Sequence, residues 1–319
     1  MGNKTFKKLN YSILPTPIHK LENLSKYLNA NIYCKRDDLT GFAFGGNKTR
    51  KLDYLIYEAV EKEADTIVAV GAYQSNFCRI ASAYGAACGL DVRLVLGGKK
   101  PEKATANLML DYLFGADVSD VDSFEWNDWE ERAKQLTEEL KAKGKKVYYM
   151  PIGGSTKTGA LGYVDCMKEI KEYSETNGTE FKQIFHATGS AGTQSGLVSG
   201  KALTGWQGLI NGIAITKNSE QIKKEVKQLA EETGKLLEVT IKDEDIIVDD
   251  NYIGEAYGLE TEAAKEAIKL FAKFEGILLD NVYSGKAASG MIDYIRKGKI
   301  SKEENILFIH TGGNIQLFK

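Results

Sequence analysis

Several stretches of the 319-residue chain combine residue types that chemistry can use. In GGNKTRKLDYLIYEA, Gly45 to Ala59, three cations (Lys48, Arg50 and Lys51) crowd the opening turns of a predicted helix. The N-terminal end of a helix carries partial positive charge, so cations there are mildly unfavourable and need another reason to exist. At about 100° per residue, Lys48 shares a sector with Leu52, Leu55, Ile56 and Ala59, the stripe expected to face the interior, while Arg50 points the other way. An inward lysine has two readings. It can lay its methylene stem along the core and carry its ammonium out to water. Alternatively, desolvation lowers its pKa and frees it to act as an amine nucleophile toward a carbonyl.

In IFHATGSAGTQSGLVSG, a strand ends at about Ala187, a Gly/Ser/Thr loop follows, and a helix begins near Thr193. Unpaired backbone N–H groups and hydroxyls at a helix N-terminus suit a phosphate. A P-loop would need Lys after the final Gly, where this chain has Thr193. A dinucleotide fingerprint would need an acidic residue ending the next strand, which here ends IAITKNS. A lone phosphomonoester on Thr188 to Thr193 is the better ligand; a tight turn without a ligand is the alternative. Gln74, Ser75 and Asn76 sit at another strand-to-helix junction, where they can cap the helix or grip a carboxylate. Tyr257, Tyr283 and Thr311 lie in loop-like stretches, the tyrosines as packing groups or as phenols for proton transfer. A lysine nucleophile, a phosphomonoester cradle and a carboxylate clamp together describe the needs of a pyridoxal phosphate enzyme acting on an amino acid.

The elements that must position these groups alternate almost from end to end. TIVAVG at Thr66, VRLVLGG, KVYYMP at Lys146, QIFHATG, LINGIAIT, DIIVDD and NILFIHTGG read as short buried strands. Helical patterns separate them, including Ser75 to Cys88 and one from Pro101 to Gly115. This predicts an α/β fold of parallel sheets covered by helices on both faces. Glycine-bearing joints at Gly41–Asn47 and Pro151–Gly159 suggest a smaller unit, 47–157, inserted into a larger one built from 1–46 and 158–319.

Composition excludes other classes. With 43% apolar and 27% charged residues the chain can build an ordinary core, and a net charge of −2 gives no general attraction to nucleic acid or anionic membrane. MGNKTFKKLN has no apolar core of a signal peptide, no run of about eighteen apolar residues occurs, and Phe6 stands where myristoylation wants Ser or Thr, so a cytoplasmic protein is expected. Cys34, Cys78, Cys88 and Cys166 form no C-x-x-C pair and read as free thiols. His19, His186 and His310 lack metal-ligand spacing, so no metal is expected.

CKRDDLTGFAFGGNKTRKLDYL, QSN, GGSTKTGALGYV, TGSAGTQSGL, LLDNVYSGKAASGMID and FIHTGGN, spread over residues 15 to 318, resemble the D-cysteine desulfhydrase and 1-aminocyclopropane-1-carboxylate deaminase family. That family belongs to the tryptophan synthase β-like, fold-type II pyridoxal phosphate enzymes. The resemblance implies two open, mostly parallel twisted sheets and a homodimer. It assigns Lys48 to holding the cofactor, Asn76 to its ring hydroxyl, and Ser75 to the substrate carboxylate or a catalytic water. Gly189, Ser190, Ala191, Gly192 and Thr193 go to its phosphate, with Thr188 beside them, and Tyr257 and Tyr283 to proton transfer. Family deaminases carry Glu after the second tyrosine and Leu before the final Gly-Gly, whereas desulfhydrase-like members carry Thr at both places. Ser284 and Thr311 put hydroxyls there, which favours β-elimination from D-cysteine to pyruvate, hydrogen sulfide and ammonia. Phe77, Tyr73 and GGNIQLF depart from the family pattern and leave open cysteate, chloroalanine, diaminopropionate or the cyclopropane as substrate, or a non-catalytic carrier of the cofactor.

Overall fold

The computed structural model describes residues 6–318. The chain begins with β1 (Ile18–Lys20), α1 (Glu22–Leu28) and β2 (Asn31–Lys35). Then come α2 (Asn47–Glu61), β3 (Thr66–Ala72), α3 (Asn76–Cys88), β4 (Asp91–Gly97), α4 (Ala106–Leu113), β5 (Asp117–Val121), α5 (Trp126–Ala142) and β6 (Val147–Met150). It continues through α6 (Lys157–Asn177), β7 (Phe181–Thr188), α7 (Gly192–Thr204), β8 (Leu209–Ala214), α8 (Ser219–Leu237), β9 (Ile247–Asp249), α9 (Glu262–Glu275), α10 (Ser284–Arg296) and β10 (Asn305–Ile309).

Among the described residues the strands form a six-stranded sheet, in the order β1-β2-β10-β7-β8-β9, and a four-stranded sheet, β5-β4-β3-β6. β1 runs antiparallel to β2, and the other pairings are parallel. The expected α/β architecture of two mostly parallel sheets is therefore present. Burial explains the apolar strand sequences. On one face of β3, Ile67 and Ala69 pack with Leu52, Leu55 and Ile56 of α2 and Ile80 of α3. On its other face, Val68 and Val70 pack with Val95 and with Trp129 of α5. The six-stranded sheet is covered in the same way, by α10 and α9 against Phe185 and Phe308, and by α6, α7 and α8 against Ile184 and Ile210. Residues 66–150 supply the smaller sheet, and 18–35 with 181–309 the larger, which supports a proposed division at 47 and 158.

Two local expectations fail for tertiary reasons. α4 starts at Ala106, not Pro101, because Gln74 bonds across to the segment: its Nε2 donates to Thr105 O (3.2 Å) and its Oε1 accepts from Asn107 N (3.0 Å). Arg50, expected to face outward, is 1% exposed, because α6 covers that side of α2. The approach of α6 requires a glycine: a Cβ on Gly162 would lie 2.6 Å from Arg50 O. Arg50 is held by Asp37 (Nη2 to Oδ1, 2.8 Å) and by Glu169 (Nη1 to Oε1, 2.7 Å). Thr16 and Tyr163 donate hydroxyls to Asp37, and Lys35 Nζ donates to Glu169. Burial alone would raise the Asp37 pKa, but Arg50 and Lys35 overcome it and hold the carboxyl below the usual range.

Cys34, Cys78 and Cys166 are buried, Cys88 is half-buried, and all four are free thiols. Among the described residues no helix is long and apolar enough to cross a membrane. Asp37→Ala leaves Arg50 buried with half its partners gone, and is expected to cost about 3–5 kcal/mol of stability. Urea denaturation checks this; a loss under about 1 kcal/mol would show the network to be dispensable.

Candidate active site

Strand ends create the site. A cleft opens where the carboxyl ends of β3, β7 and β10 meet the start of α2. This is where ligands bind in open α/β sheets. The N-terminal turn of α2 brings Lys48 into the cleft, half-buried, and burial lowers its amine pKa to about 8. One turn on, Lys51 is fully buried, with Nζ 3.2 Å from Gly153 O. Burial and the charge of Lys48 push the Lys51 amine well below the ordinary lysine range.

The loop after β7 faces these amines. Ala191 holds φ +64°, a left-handed conformation that strains any residue but glycine and that turns the chain into α7. Gly192 N donates to Ser190 O (2.8 Å), and the next N–H groups of α7, those of Thr193 and Gln194, have no helical acceptor and are available to an anion. Thr193 Oγ1 accepts from Asn47 Nδ2 (3.0 Å), and Ser190 Oγ accepts from Ser155 Oγ (3.0 Å), so the loop is braced by α2 and by the segment before α6. Thr188 Oγ1 is buried with no partner. A Cβ on Gly192 would lie 2.8 Å from Lys51 Nζ, which places a second amine directly against the loop.

The start of α3 forms another wall. Ser75 caps the helix, its Oγ accepting from Cys78 N (3.2 Å), and Asn76 lines the cleft beside it. Opposite, the Tyr257 and Tyr283 hydroxyls are 2.5 Å apart. Burial raises the pKa of both, and for Tyr283 the neighbouring Tyr257 adds to the effect, so both remain protonated near neutrality. Thr311 lines the floor, its carbonyl accepting from Asn47 N (2.9 Å).

The cleft thus gathers Lys48, Ser75, Asn76, Thr188, Gly189, Ser190, Ala191, Thr193, Tyr257, Tyr283 and Thr311, with Gly192 buried in the loop behind. Ser284 is not on its lining: the hydroxyl donates to Asp280 Oδ1 (2.6 Å) and accepts from Asp280 N (2.8 Å), closing the start of α10. Phe77 is on the wall, whereas Tyr73 turns away and donates to Asp120 Oδ1 (3.0 Å). Sequence reasoning did not anticipate Lys51 as a site residue, although the crowding of cations was its signal. Trp126 was missed as well. It reaches the cleft from α5 and meets Tyr257 edge-on, with ring centroids 5.7 Å apart, and no local pattern foretells that contact.

An amine free to condense with an aldehyde, an anion cradle with an orphaned hydroxyl, and an amide beside them fit pyridoxal phosphate. Residues 9–312 match the family of pyridoxal-phosphate dependent enzymes. The chain belongs to that family. Its relatives narrow the activity. It is 40% identical to a D-cysteine desulfhydrase of Yersinia enterocolitica, over 98% of this chain and 96% of the relative. It is 39% identical to a 1-aminocyclopropane-1-carboxylate deaminase of Bradyrhizobium diazoefficiens, over 94% and 92%. A crystal structure of an ACC deaminase homologue superposes with a TM-score of 0.92 at 37% identity, covering 98% of this chain and 94% of that one. The protein is a pyridoxal-phosphate-dependent lyase of this desulfhydrase and deaminase group.

Because burial lowers the Lys48 pKa to about 8, the neutral nucleophilic amine of this lyase is the minority form below that pH and the majority form above it. The rate at which apoenzyme develops the visible band of lysine-bound cofactor should therefore rise with pH, approaching about tenfold per unit at low pH, and level off above about 8. Lys48→Ala should develop no such band at any pH; a retained band would move the attachment to another lysine.

Proposed function

We propose that the enzyme catalyses β-elimination from D-cysteine, which with one water gives pyruvate, hydrogen sulfide and ammonia. The observation that carries this reading is that no Asp or Glu side chain is among the described residues lining the cleft. The nearest carboxylate in sequence to Tyr283 is Asp280, and it is occupied in capping α10 through Val282 N, Tyr283 N and Ser284 N. With Thr311 rather than a carboxylate to meet it, a ring nitrogen would be less strongly protonated. That suits departure of a good β-leaving group better than opening of a cyclopropane.

When bound, pyridoxal phosphate supplies an electron sink for the electrons left by breaking the substrate's α-C–H bond. The protein does the rest. The Thr188–Thr193 loop, the α7 N-terminus and Lys51 would hold the phosphate, and Asn76 would face the ring hydroxyl. The N-terminal turn of α3, with Ser75, binds the substrate carboxylate. Lys48, which would hold the cofactor's aldehyde, would take the substrate's α-proton at Nζ, and an amine with a pKa near 8 is suited to that exchange near neutral pH. Tyr283, kept protonated by burial and by Tyr257, donates a proton to the departing sulfur. The released 2-aminoacrylate takes up water to give pyruvate and ammonia. The family resemblance adds a cytoplasmic homodimer to this reading.

One favourable specificity signal is steric. Phe77 and Trp126 give the cleft apolar walls that suit a small β-substituent. Initial rates of pyruvate and 2-oxobutyrate formation across D- and L-cysteine, cysteate, chloroalanine, diaminopropionate and 1-aminocyclopropane-1-carboxylate test the assignment. D-Cysteine is expected to lead by about tenfold or more in kcat/KM. Comparable 2-oxobutyrate formation from the cyclopropane would reassign the enzyme to deamination. No product and no spectral response from any of them would leave a cofactor carrier.

A further inference from the structure

Behind Asn76 lies a buried cation that the proposed reaction does not use. Arg79 on α3 is 1% exposed, and the one carboxylate acting on its charge is Asp111. Burial lowers its pKa to about 10, with Asp111 opposing, so the guanidinium stays charged at neutral pH. Its Nη1 donates to Asn76 Oδ1 (2.8 Å) and to Asn107 Oδ1 (2.7 Å), and its Nη2 donates to Gly45 O (2.9 Å). Asn107, 0% exposed, donates through Nδ2 to Asn76 Oδ1 (3.1 Å) and to Gln74 O (2.8 Å).

A guanidinium only donates. The Asn76 amide atom facing it must therefore be the oxygen, and that oxygen takes a second hydrogen bond from Asn107. Flipping the Asn76 amide would set N–H against N–H on both contacts. Its NH₂ is thereby left for the cleft that Asn76 lines. A charged donor on the carbonyl end also polarises the amide and strengthens its N–H as a donor. Through Gly45 the same guanidinium grips the glycine pair that leads into Lys48; Gly45 and Gly46 have φ of +63° and +109°. The cofactor's aldehyde and hydroxyl occupy adjacent ring carbons, so the amine and the amide donor must be fixed relative to each other. Arg79 touches both segments.

We propose that Arg79 and Asn107 are positioning residues that hold Asn76 as an obligate donor to the cofactor's ring hydroxyl and so keep that hydroxyl ionised. This rests on the reading that Asn76 faces the ring hydroxyl.

The test uses Arg79→Met, Asn107→Leu, Asn76→Leu and the Asn76→Leu/Arg79→Met pair. Two quantities are measured: the Kd of apoenzyme for pyridoxal phosphate, and the pH titration of the holoenzyme's visible band between about pH 6 and 9. Arg79→Met and Asn107→Leu are expected to weaken cofactor binding about tenfold and to make a pH-invariant band titrate within that range. The pair should bind within about threefold of Asn76→Leu alone, since the arginine acts through the asparagine. A folded Arg79→Met with wild-type Kd and an invariant band would overturn the proposal, as would additive losses in the pair. If Arg79→Met does not fold, Asn107→Leu decides by the same two readouts. An Asn76→Leu band that stays invariant removes Asn76 from the ring hydroxyl and the proposal with it. Wild-type protein that captures no cofactor would overturn the functional reading itself.

Discussion

The structure depends on one buried charge. Arg50 sits on the side of α2 opposite the stripe that packs on the smaller sheet, and its guanidinium is enclosed by Asp37 and Glu169. Removing one partner from such a cluster is far costlier than an exposed pair would suggest, because a desolvated charge is left uncompensated. Rotating or sliding α2 would unpair Arg50. The helix is therefore held in one orientation, and that orientation aims Lys48 and Lys51 at the loop after β7. Three cations at a helix N-terminus are individually unfavourable. Here one is neutralised by two carboxylates, and burial weakens the charge of the other two until an anion arrives.

The cleft's electrostatics follow from that arrangement. Its cationic side chain is Lys48, with Lys51 behind the phosphate loop, and its remaining polar groups are hydroxyls, amides and backbone N–H. Such a site suits anions, and no Asp or Glu side chain is among the described residues that line it. The two tyrosines hold protons rather than charge. Phe77 and Trp126 add an apolar wall beside these polar groups.

Contacts between the segments of the two sheets brace the cleft. Asn47 of α2 bonds Thr193 of α7, and Ser155 bonds Ser190. Trp126 of α5 meets Tyr257 from the far segment, with Lys217 Nζ 5.2 Å over the Trp126 ring. A change in how the sheets meet would therefore alter the loop after β7 and the tyrosine pair together.

Much of this was written locally. The alternation of short apolar runs with helical patterns determined the α/β class, because a strand buried on both faces must be apolar throughout. The helical sector of Lys48 and the Gly/Ser/Thr loop at Thr188–Thr193 pointed to an inward amine and to a loop suited to an anion, since both rest on spacing within a single element, and both line the cleft. Other features depend on which elements pack together, and only the tertiary structure decided them. Arg50 is buried because α6 lies against it, α4 starts late because Gln74 ties down Thr105 and Asn107, Ser284 is engaged by Asp280, and Trp126 reaches the cleft from another sheet. Periodicity tells which face of a helix is apolar; it carries no information about what approaches the polar face, and that is where the buried charges of this enzyme lie.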